Sequence, residues 1–256
     1  MGVRTYAASQ FDAVDLSCAK AGRRVSVCLP ARDEEPTVGP IVSAVRAALV
    51  DAVGLVDEVL VVDDGSRDAT ADQAAGAGAR VVRRGPEDGP PGKGQALRCA
   101  VDEAIGDVLV FLDADVRNFD PRFVVGLLGP VLTDPGIALV KATYRRPLEG
   151  ATGTGGRVTE LVARPLLARL FPDLAGVTQP LAGECAAPRA VLEAVPFADG
   201  YGVEIGLLID VAARCGAGAL AQVDLGERVH RNRPLDALAP QAAAVIDVVL
   251  DRAGVR

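Results

Sequence analysis

Residues 107–115 read DVLVFLDAD, an unbroken apolar run that ends in two acids, Asp113 and Asp115. Two earlier stretches have the same form, RVSVCLPARDEE at residues 24–35 and EVLVVDDGSRDAT at residues 58–70. Continuous apolar runs are typical of strands that are covered on both faces, as in parallel sheets. Each stretch therefore predicts a buried strand that is followed by acidic side chains.

Helical patterns separate these strands. Residues 37–50 carry one apolar stripe with helical spacing, which consists of Val38, Ile41, Val42, Val45 and Leu49. A strand at residues 79–84 and a helix at residues 95–104 continue the alternation. This order predicts an α/β fold, with a Rossmann-like, mostly parallel sheet flanked by helices. Ligands of such sheets bind beyond the carboxyl ends of the strands.

The second half of the chain is less regular. It predicts strands at residues 137–150 and 218–229, and helices at residues 158–171, at residues 203–216 and from Leu235 onward. The helical pattern at residues 158–171 is interrupted near Pro165. We therefore expect a mixed α/β organisation in this half.

The domain organisation that we expect is one compact catalytic unit. Residues 1–23 form a loosely attached lead-in, residues 24–120 form a nucleotide-binding half, and residues 121–256 form an acceptor-binding half. No stretch between them has the composition of a long flexible linker.

Composition and charge exclude several classes of protein. The net charge of −7 argues against a broad nucleic-acid-binding face. No apolar run reaches the roughly 20 residues of a membrane-spanning helix, so we expect no membrane partner. The five cysteines are odd in number, widely spaced and without a CxxC pair, which favours a reducing cytoplasmic location over a disulfide framework. We further expect a homodimer.

Two motifs carry candidate chemistry on their own. Asp113 and Asp115 can hold a hard divalent cation and contact a ribose or diphosphate, although a solvated strand end has the same pattern. Gly92-Lys93-Gly94 enters a helix, where two glycines permit close backbone approach to a phosphate or base and Lys93 adds a positive charge. A flexible surface lysine is the alternative for that motif.

Two acidic loops are weaker candidates. Asp64 follows the second strand and can accept hydrogen bonds from a base or ribose, or can belong to a helix-capping turn. Glu34 lies in the loop after the first strand and can receive ribose hydroxyl groups, or can simply favour a helix N-terminus.

The second half adds three candidates. Arg157 and Thr159 follow a glycine-rich turn and can bind a phosphate or carboxylate, or mark an ordinary helix start. Glu204 lies among apolar residues at a helix start and is either a substrate ligand or a residue that stabilises the helix dipole. His230 is the one histidine of the chain and lies in the basic segment ERVHRNRP, which predicts an anion site with His230 as an additional metal ligand.

Taken together, these motifs resemble the GT-A-type nucleotide-sugar glycosyltransferases, and more narrowly the bacterial glucosyl-3-phosphoglycerate synthase family. The resemblance rests on VSVCLPARDEE, VLVVDDGSRDAT, PGKGQALR, VFLDAD, LVKATYRRPL, GGRVTELVARPLLA, QPLAGECAA, VPFADGYGVEIGLLID and AQVDLGERVHRNRPL. The first four suit many GT-A enzymes, whereas the last four are far more specific to this family.

The resemblance implies transfer of glucose from UDP-glucose to the 2-hydroxyl of 3-phosphoglycerate, with magnesium or manganese and with retention at the anomeric carbon. It implies Asp115 and His230 as metal ligands, and Glu204 and Asp115 as catalytic residues. It implies that the acceptor binds Gly156, Arg157, Thr159, Arg228 and Asn232. It implies that the nucleotide sugar binds Pro30, Ala31, Arg32, Glu34, Asp64, Lys93, Asp113, Ala114, Tyr201 and Glu204.

Departures from the family pattern leave alternatives open. Arg32 stands where we expect Asn and Asp64 where Ser is common, so a GDP-linked donor and mannose transfer remain alternatives. A polyprenyl-phosphate glycosyltransferase would have a similar N-terminal half. A nucleotidyltransferase is disfavoured because the phosphate-binding opening after its first strand is missing. A non-catalytic module is disfavoured because Asp115 and His230 are both retained.

Overall fold

The computed structural model describes residues 2–148, 151–153, 156–229 and 235–255. Within these residues the strands are β1 (Arg4–Ala7), β2 (Val25–Ala31), β3 (Glu58–Asp63), β4 (Arg80–Arg83), β5 (Val108–Phe111), β6 (Leu139–Leu148), β7 (Ala151–Gly153), β8 (Cys185–Pro188) and β9 (Leu220–Glu227). The helices are α1 (Ala13–Ala19), α2 (Glu35–Val45), α3 (Thr70–Gly76), α4 (Lys93–Glu103), α5 (Arg122–Thr133), α6 (Arg164–Leu170), α7 (Arg189–Glu193), α8 (Val203–Cys215) and α9 (Leu235–Arg252).

One sheet organises the molecule, with the strand order β1-β9-β6-β8-β5-β2-β3-β4 and β7 paired to β6. Strands β5, β2, β3 and β4 are parallel, and so are β1, β9 and β6. Strand β8 joins the two groups and is antiparallel to both neighbours. The predicted mostly parallel α/β sheet is therefore confirmed, with one antiparallel strand near its centre.

Two apolar layers cover the sheet. One contains buried side chains of α1, α2, α3 and α5, and the other contains side chains of α4, α6, α7, α8 and α9. Strand β5 contributes to both, since Val108 and Val110 face one layer whereas Leu109 and Phe111 face the other. This two-sided burial explains why the strands are continuous apolar runs in the sequence.

The helix expected over residues 37–50 begins at Glu35 and ends at Val45, and a π-helical turn, Arg46–Asp51, continues it. A second π-helical turn, Thr159–Ala163, precedes α6. It ends just before Pro165, where the interruption was expected.

The expectation that residues 1–23 are loosely attached is wrong. Strand β1 pairs with β9, and the ring of Phe11 packs so closely on Gly129 of α5 that a Cβ atom there would lie 2.3 Å from it. Strand β1 is only four residues long and partly exposed, so it carries little apolar signal in the sequence. The boundaries at residues 24 and 121 stay predictions.

In the described part of the chain, no helix has the length and apolar character required to cross a membrane.

Candidate active site

A cleft of about 380 Å³ lies beyond the carboxyl ends of β2, β3 and β5, at the start of α4. The predicted residues that line it are Pro30, Ala31, Arg32, Glu34, Asp64, Lys93, Asp113, Ala114, Asp115 and Tyr201. Pro91, Gly92, Ala96 and Gly200 complete the lining. Parallel strands bring their carboxyl ends to one edge, so loops that are far apart in sequence meet there.

Lys93 connects three elements of the site. It is the first residue of α4, and its Nζ atom lies 2.6 Å from Oδ1 of Asp113 and 2.7 Å from Oε1 of Glu204. Burial alone would lower the pKa of Lys93, but the negative charges of Asp113 and Glu204 outweigh burial and hold it well above its usual value. Lys93 is therefore a fixed cation of the site and not a flexible surface lysine.

Asp113 lies between two cations. Its Oδ2 atom is 2.7 Å from Nη2 of Arg228, on the other side of the carboxylate from Lys93. Burial alone would raise the pKa of Asp113, but Lys93 and Arg228 outweigh it and keep the pKa well below its usual range. A Cβ atom at Gly183 would lie 2.1 Å from Oδ1 of Asp113, so the backbone of residue 183 packs directly against this carboxylate.

Arg228 is buried, with 3% of its side chain exposed, and is surrounded by acids. Its Nη2 atom also lies 3.1 Å from Oδ1 of Asp115, and its Nε atom lies 2.8 Å from Oε1 of Glu184. Its Nη1 atom donates to the hydroxyl of Tyr144 at 3.0 Å, and the guanidinium stacks over that ring at 5.1 Å. The predicted role of Arg228 in acceptor binding stays a prediction.

Asp64 lies in the part of the cleft where the sequence predicts the nucleotide. Its backbone N–H donates to Ala31 across the strand ends at 2.9 Å, and its carboxylate pairs with the buried Arg84. Burial raises the pKa of Asp64, and Arg84 opposes the rise. The helix-capping interpretation applies to its neighbours instead: Asp63 accepts from the N–H of Ser66 at 3.0 Å, and Asp68 accepts from that of Thr70.

The described residues supply part of a metal site. Asp115 lines the cleft with a carboxylate that is partly exposed, and carboxylate oxygens are the donors that hard divalent cations prefer. No group of three His, Cys, Asp or Glu side chains arranged for a metal occurs among the described residues. His230, the other predicted ligand, lies outside the described residues, as does Asn232 of the predicted acceptor site. The donor chemistry at Asp115 fits magnesium or manganese.

The remaining predicted acceptor residues are Gly156, Arg157 and Thr159, which lie at the beginning of the segment that leads into α6. Arg157 is exposed and Thr159 is buried. They are not among the residues that line the described cleft. Their role in acceptor binding therefore stays a prediction.

Sequence reasoning missed Glu184 and Tyr144, which hold Arg228, and Arg84, which holds Asp64. Arg84 follows an ordinary edge strand and Tyr144 lies within β6. Glu184 had the clearest signal, because it is an isolated acid in the apolar stretch PLAGECAA. An isolated acid in an apolar context is seldom buried without a charged partner.

Comparisons with known proteins agree with this geometry. The sequence model of glycosyl transferase family 2 matches residues 26–174. The curated glucosyl-3-phosphoglycerate synthase of Mycolicibacterium smegmatis (strain ATCC 700084 / mc(2)155) is 54% identical over 250 residues, which cover 94% of this chain and 81% of that protein. The chain belongs to glycosyl transferase family 2, and within it to the glucosyl-3-phosphoglycerate synthases.

Solved structures of this family have the same fold. The Mycobacterium tuberculosis glucosyl-3-phosphoglycerate synthase in complex with Mn²⁺, uridine-diphosphate-glucose and phosphoglyceric acid superposes with a TM-score of 0.90 at 49% identity, and the match covers 98% of this chain and 88% of that one. The complex of that enzyme with Mg²⁺ and uridine-diphosphate gives a TM-score of 0.89 at 49% identity over 98% of this chain and 87% of that one. The GT-A-type fold expected from the sequence is thereby confirmed.

Proposed function

We propose that the protein transfers glucose from UDP-glucose to the 2-hydroxyl of 3-phosphoglycerate, with retention at the anomeric carbon, to give glucosyl-3-phosphoglycerate. The observation that carries the proposal is the cleft itself. Nine of the ten residues expected to bind the nucleotide sugar line it, and Lys93 links it to the tenth, Glu204. A relative 49% identical to this chain binds UDP-glucose and phosphoglyceric acid.

The donor binds along the strand ends. Pro30, Ala31 and Asp64 contact the base and ribose, and Lys93 and Asp113 face the diphosphate and sugar. Magnesium or manganese, held by Asp115 and His230, supplies positive charge that stabilises the leaving diphosphate. Lys93 adds a second, protonated charge on the same leaving group, because its raised pKa keeps it cationic.

The acceptor is an anion with a carboxylate and a phosphate. Arg157, Thr159 and the segment around Asn232 bind these groups, since charge-assisted hydrogen bonds from Arg orient such groups strongly. Their task is to bring the 2-hydroxyl toward the anomeric carbon, and orientation of this kind accounts for a large part of the rate of bimolecular transfer.

Glu204 is the acid that we place beside the donor sugar. Its carboxylate is buried at the start of α8, and Lys93 fixes its Oε1 atom at 2.7 Å. We assign it to the face of the donor sugar, together with Tyr201, which is exposed at the rim of the cleft.

The test is product identification. Purified protein is incubated with 3-phosphoglycerate, magnesium and a panel of UDP-glucose, GDP-glucose, GDP-mannose and UDP-galactose, and the products are identified by mass. We expect a hexosyl-phosphoglycerate mainly with UDP-glucose. A product formed mainly with GDP-mannose would move the assignment to mannosyl transfer, and transfer only to a polyprenyl phosphate added in parallel would refute the acceptor.

We also propose that the protein is a cytoplasmic homodimer. Support for the location is the chemistry of the cysteines, all five of which are free thiols. Support for the dimer comes from exposed apolar side chains such as Leu161, which is 77% exposed beside α6. Light scattering at micromolar concentration distinguishes a dimer from a monomer.

A further inference from the structure

The carboxylate of Glu184 is buried directly behind the site. Its side chain is 2% exposed and lies immediately before β8, and its Oε1 atom is 2.8 Å from Nε of Arg228. Burial raises the pKa of Glu184, and the charge of Arg228 opposes the rise. An acid in this position is costly to bury unless it is matched by a cation, and Arg228 is its ion-pair partner among the described residues.

The contacts of the three guanidinium nitrogens show how Glu184 orients Arg228. The Nε atom faces Glu184, the Nη1 atom donates to Tyr144, and the Nη2 atom faces Asp113 and Asp115. Glu184 and Tyr144 therefore hold the guanidinium from behind and direct its third nitrogen at the two acids of the cleft. A planar guanidinium that is held at two of its nitrogens has little freedom at the third.

The charge balance changes when a cation binds. Arg228 carries one positive charge and faces three carboxylates, those of Asp113, Asp115 and Glu184, of which Asp113 also pairs with Lys93. A divalent cation bound to Asp115 competes with Arg228 for that carboxylate and repels the guanidinium. Glu184 lies on the other side of Arg228 and still balances its positive charge.

We propose that Glu184 is a positioning residue, which holds Arg228 beneath Asp113 and Asp115 and compensates its charge when the metal binds. This inference rests on the proposed function, because that function places the metal at Asp115. Glu184 thereby acts on metal and acceptor binding through Arg228, without touching either ligand.

The chain offers a matched control at the opposite end of the sheet. Glu58 is the first residue of β3, is also buried, and accepts from Nε of Arg80 through its Oε1 atom at 2.8 Å. Both carboxylates thus lie 2.8 Å from the Nε atom of an arginine, but Arg80 is 41% exposed whereas Arg228 is buried, and only Glu184 adjoins the cleft. If both carboxylates had merely structural roles, neither Glu184→Gln nor Glu58→Gln would change the affinity for Mn²⁺.

The experiment measures binding of Mn²⁺ by electron paramagnetic resonance at saturating UDP. We expect Glu184→Gln to raise the Kd for Mn²⁺ about tenfold or more, because it removes a buried negative charge that balances Arg228 beside the cation. Glu58→Gln is expected to stay within about twofold of the wild type. The double variant Glu184→Gln/Arg228→Gln removes both charges and is expected to return the Kd toward the wild-type value.

A second variant keeps the negative charge at residue 184 but shifts its position, because the side chain is shorter. Glu184→Asp is expected to hold the Kd for Mn²⁺ within about threefold and to raise the KM for 3-phosphoglycerate, since the guanidinium follows the shorter carboxylate. These two readouts decide the matter if Glu184→Gln does not fold. A Glu184→Gln protein with unchanged Mn²⁺ affinity, or a Glu184→Asp protein with unchanged KM, overturns the inference.

The two proposals can fail separately. If the wild type forms glucosyl-phosphoglycerate but the Glu184 variants match the Glu58 control, the inference is wrong and the function stands. If the Glu184 variants change Mn²⁺ affinity but the wild type forms no such product, the positioning role stands and the substrate assignment is wrong.

Discussion

The Nζ atom of Lys93 lies 2.7 Å from Oε1 of Glu204, and this contact joins the first turn of α4 to the first turn of α8. Lys93 lies in the first half of the sequence, and Glu204 lies in the second half. The same lysine binds Asp113 at the end of β5. One cation therefore fixes the relative positions of two acids from opposite halves of the chain.

Lys93→Ala is expected to lower kcat/KM for UDP-glucose about a hundredfold, because it removes a charge-assisted contact worth about 2–3 kcal/mol. The control is Lys20→Ala, since Lys20 forms a comparable ion pair with Asp57 at 3.0 Å but lies far from the cleft. Steady-state kinetics on both variants tests this. Equal losses in the two would show that Lys93 acts on stability alone.

Asp115→Ala is expected to reduce transfer roughly a thousandfold or more at saturating magnesium while the fold persists. The reason is loss of a metal ligand that stabilises the leaving diphosphate. Asp102→Asn serves as the control, because Asp102 is an exposed acid that pairs with Arg98 on α4. Circular dichroism checks the fold, and near-normal magnesium-dependent turnover of Asp115→Ala would contradict the metal assignment.

Arg157→Ala is expected to raise the KM for 3-phosphoglycerate by tenfold or more and to leave the KM for UDP-glucose nearly unchanged, since it removes a contact of about 1.5–3 kcal/mol to an anion. Arg164 follows two turns later, is similarly exposed and pairs with Glu160 at 2.8 Å, so Arg164→Ala is the matched control. Equal effects on both substrates would place Arg157 on the diphosphate instead.

UDP is expected to bind more tightly than GDP in the presence of magnesium. The proposed function places the base against Asp64, whose carboxylate pairs with Arg84, and a pocket shaped around one ring and its polar edge leaves a two-ring base with unpaired groups. Arg32, at the rim, makes this a preference rather than an absolute selection. Calorimetric titration measures both affinities, and a GDP affinity equal to that of UDP would contradict the assignment of a uridine nucleotide.

Glu58 is expected to make stability depend on acid pH. Burial alone would raise its pKa, but hydrogen bonds from Ser26 and Ile105 and the contact with Arg80 lower it below the usual value. An acid with a lowered folded-state pKa contributes stability above its unfolded pKa of about 4.3, and that contribution is lost as the pH falls further. Urea unfolding between pH 7 and about 3 should show that the free energy of unfolding falls less steeply with pH in Glu58→Gln than in the wild type. Equal slopes for the two proteins would contradict this prediction.

Several features of the site could be predicted because they follow strong strand signals. Asp64, Asp113 and Asp115 were placed correctly at one edge because each follows a continuous apolar run, and parallel strands bring such ends together. Lys93 could be found from the glycines beside it. The local pattern contained no information about its partners, since the contact with Glu204 joins residues that are distant in sequence.

The rest could not be predicted, for physical reasons. Strand β8 consists of four small residues, CAAP, and acquires its place only from pairing with β5 and β6. Glu184 immediately precedes β8, so its contact with Arg228 depends on that pairing as well. The prediction that residues 1–23 are loosely attached is wrong for the same reason. Strand β1 is stabilised by pairing with β9, and the local sequence of β1 does not indicate that pairing.

The antiparallel insertion of β8 has a consequence for how the chain folds during synthesis. Strand β5 has β2 on one side, but its other side is covered only by residues 185–188, which are made much later. Strand β1 similarly pairs with residues 221–224, which are made long after it. An exposed strand edge is prone to pair with other chains. A ribosome-bound fragment that ends near residue 120 is therefore expected to be vulnerable to aggregation, and nucleotide binding should appear only after β8 has emerged.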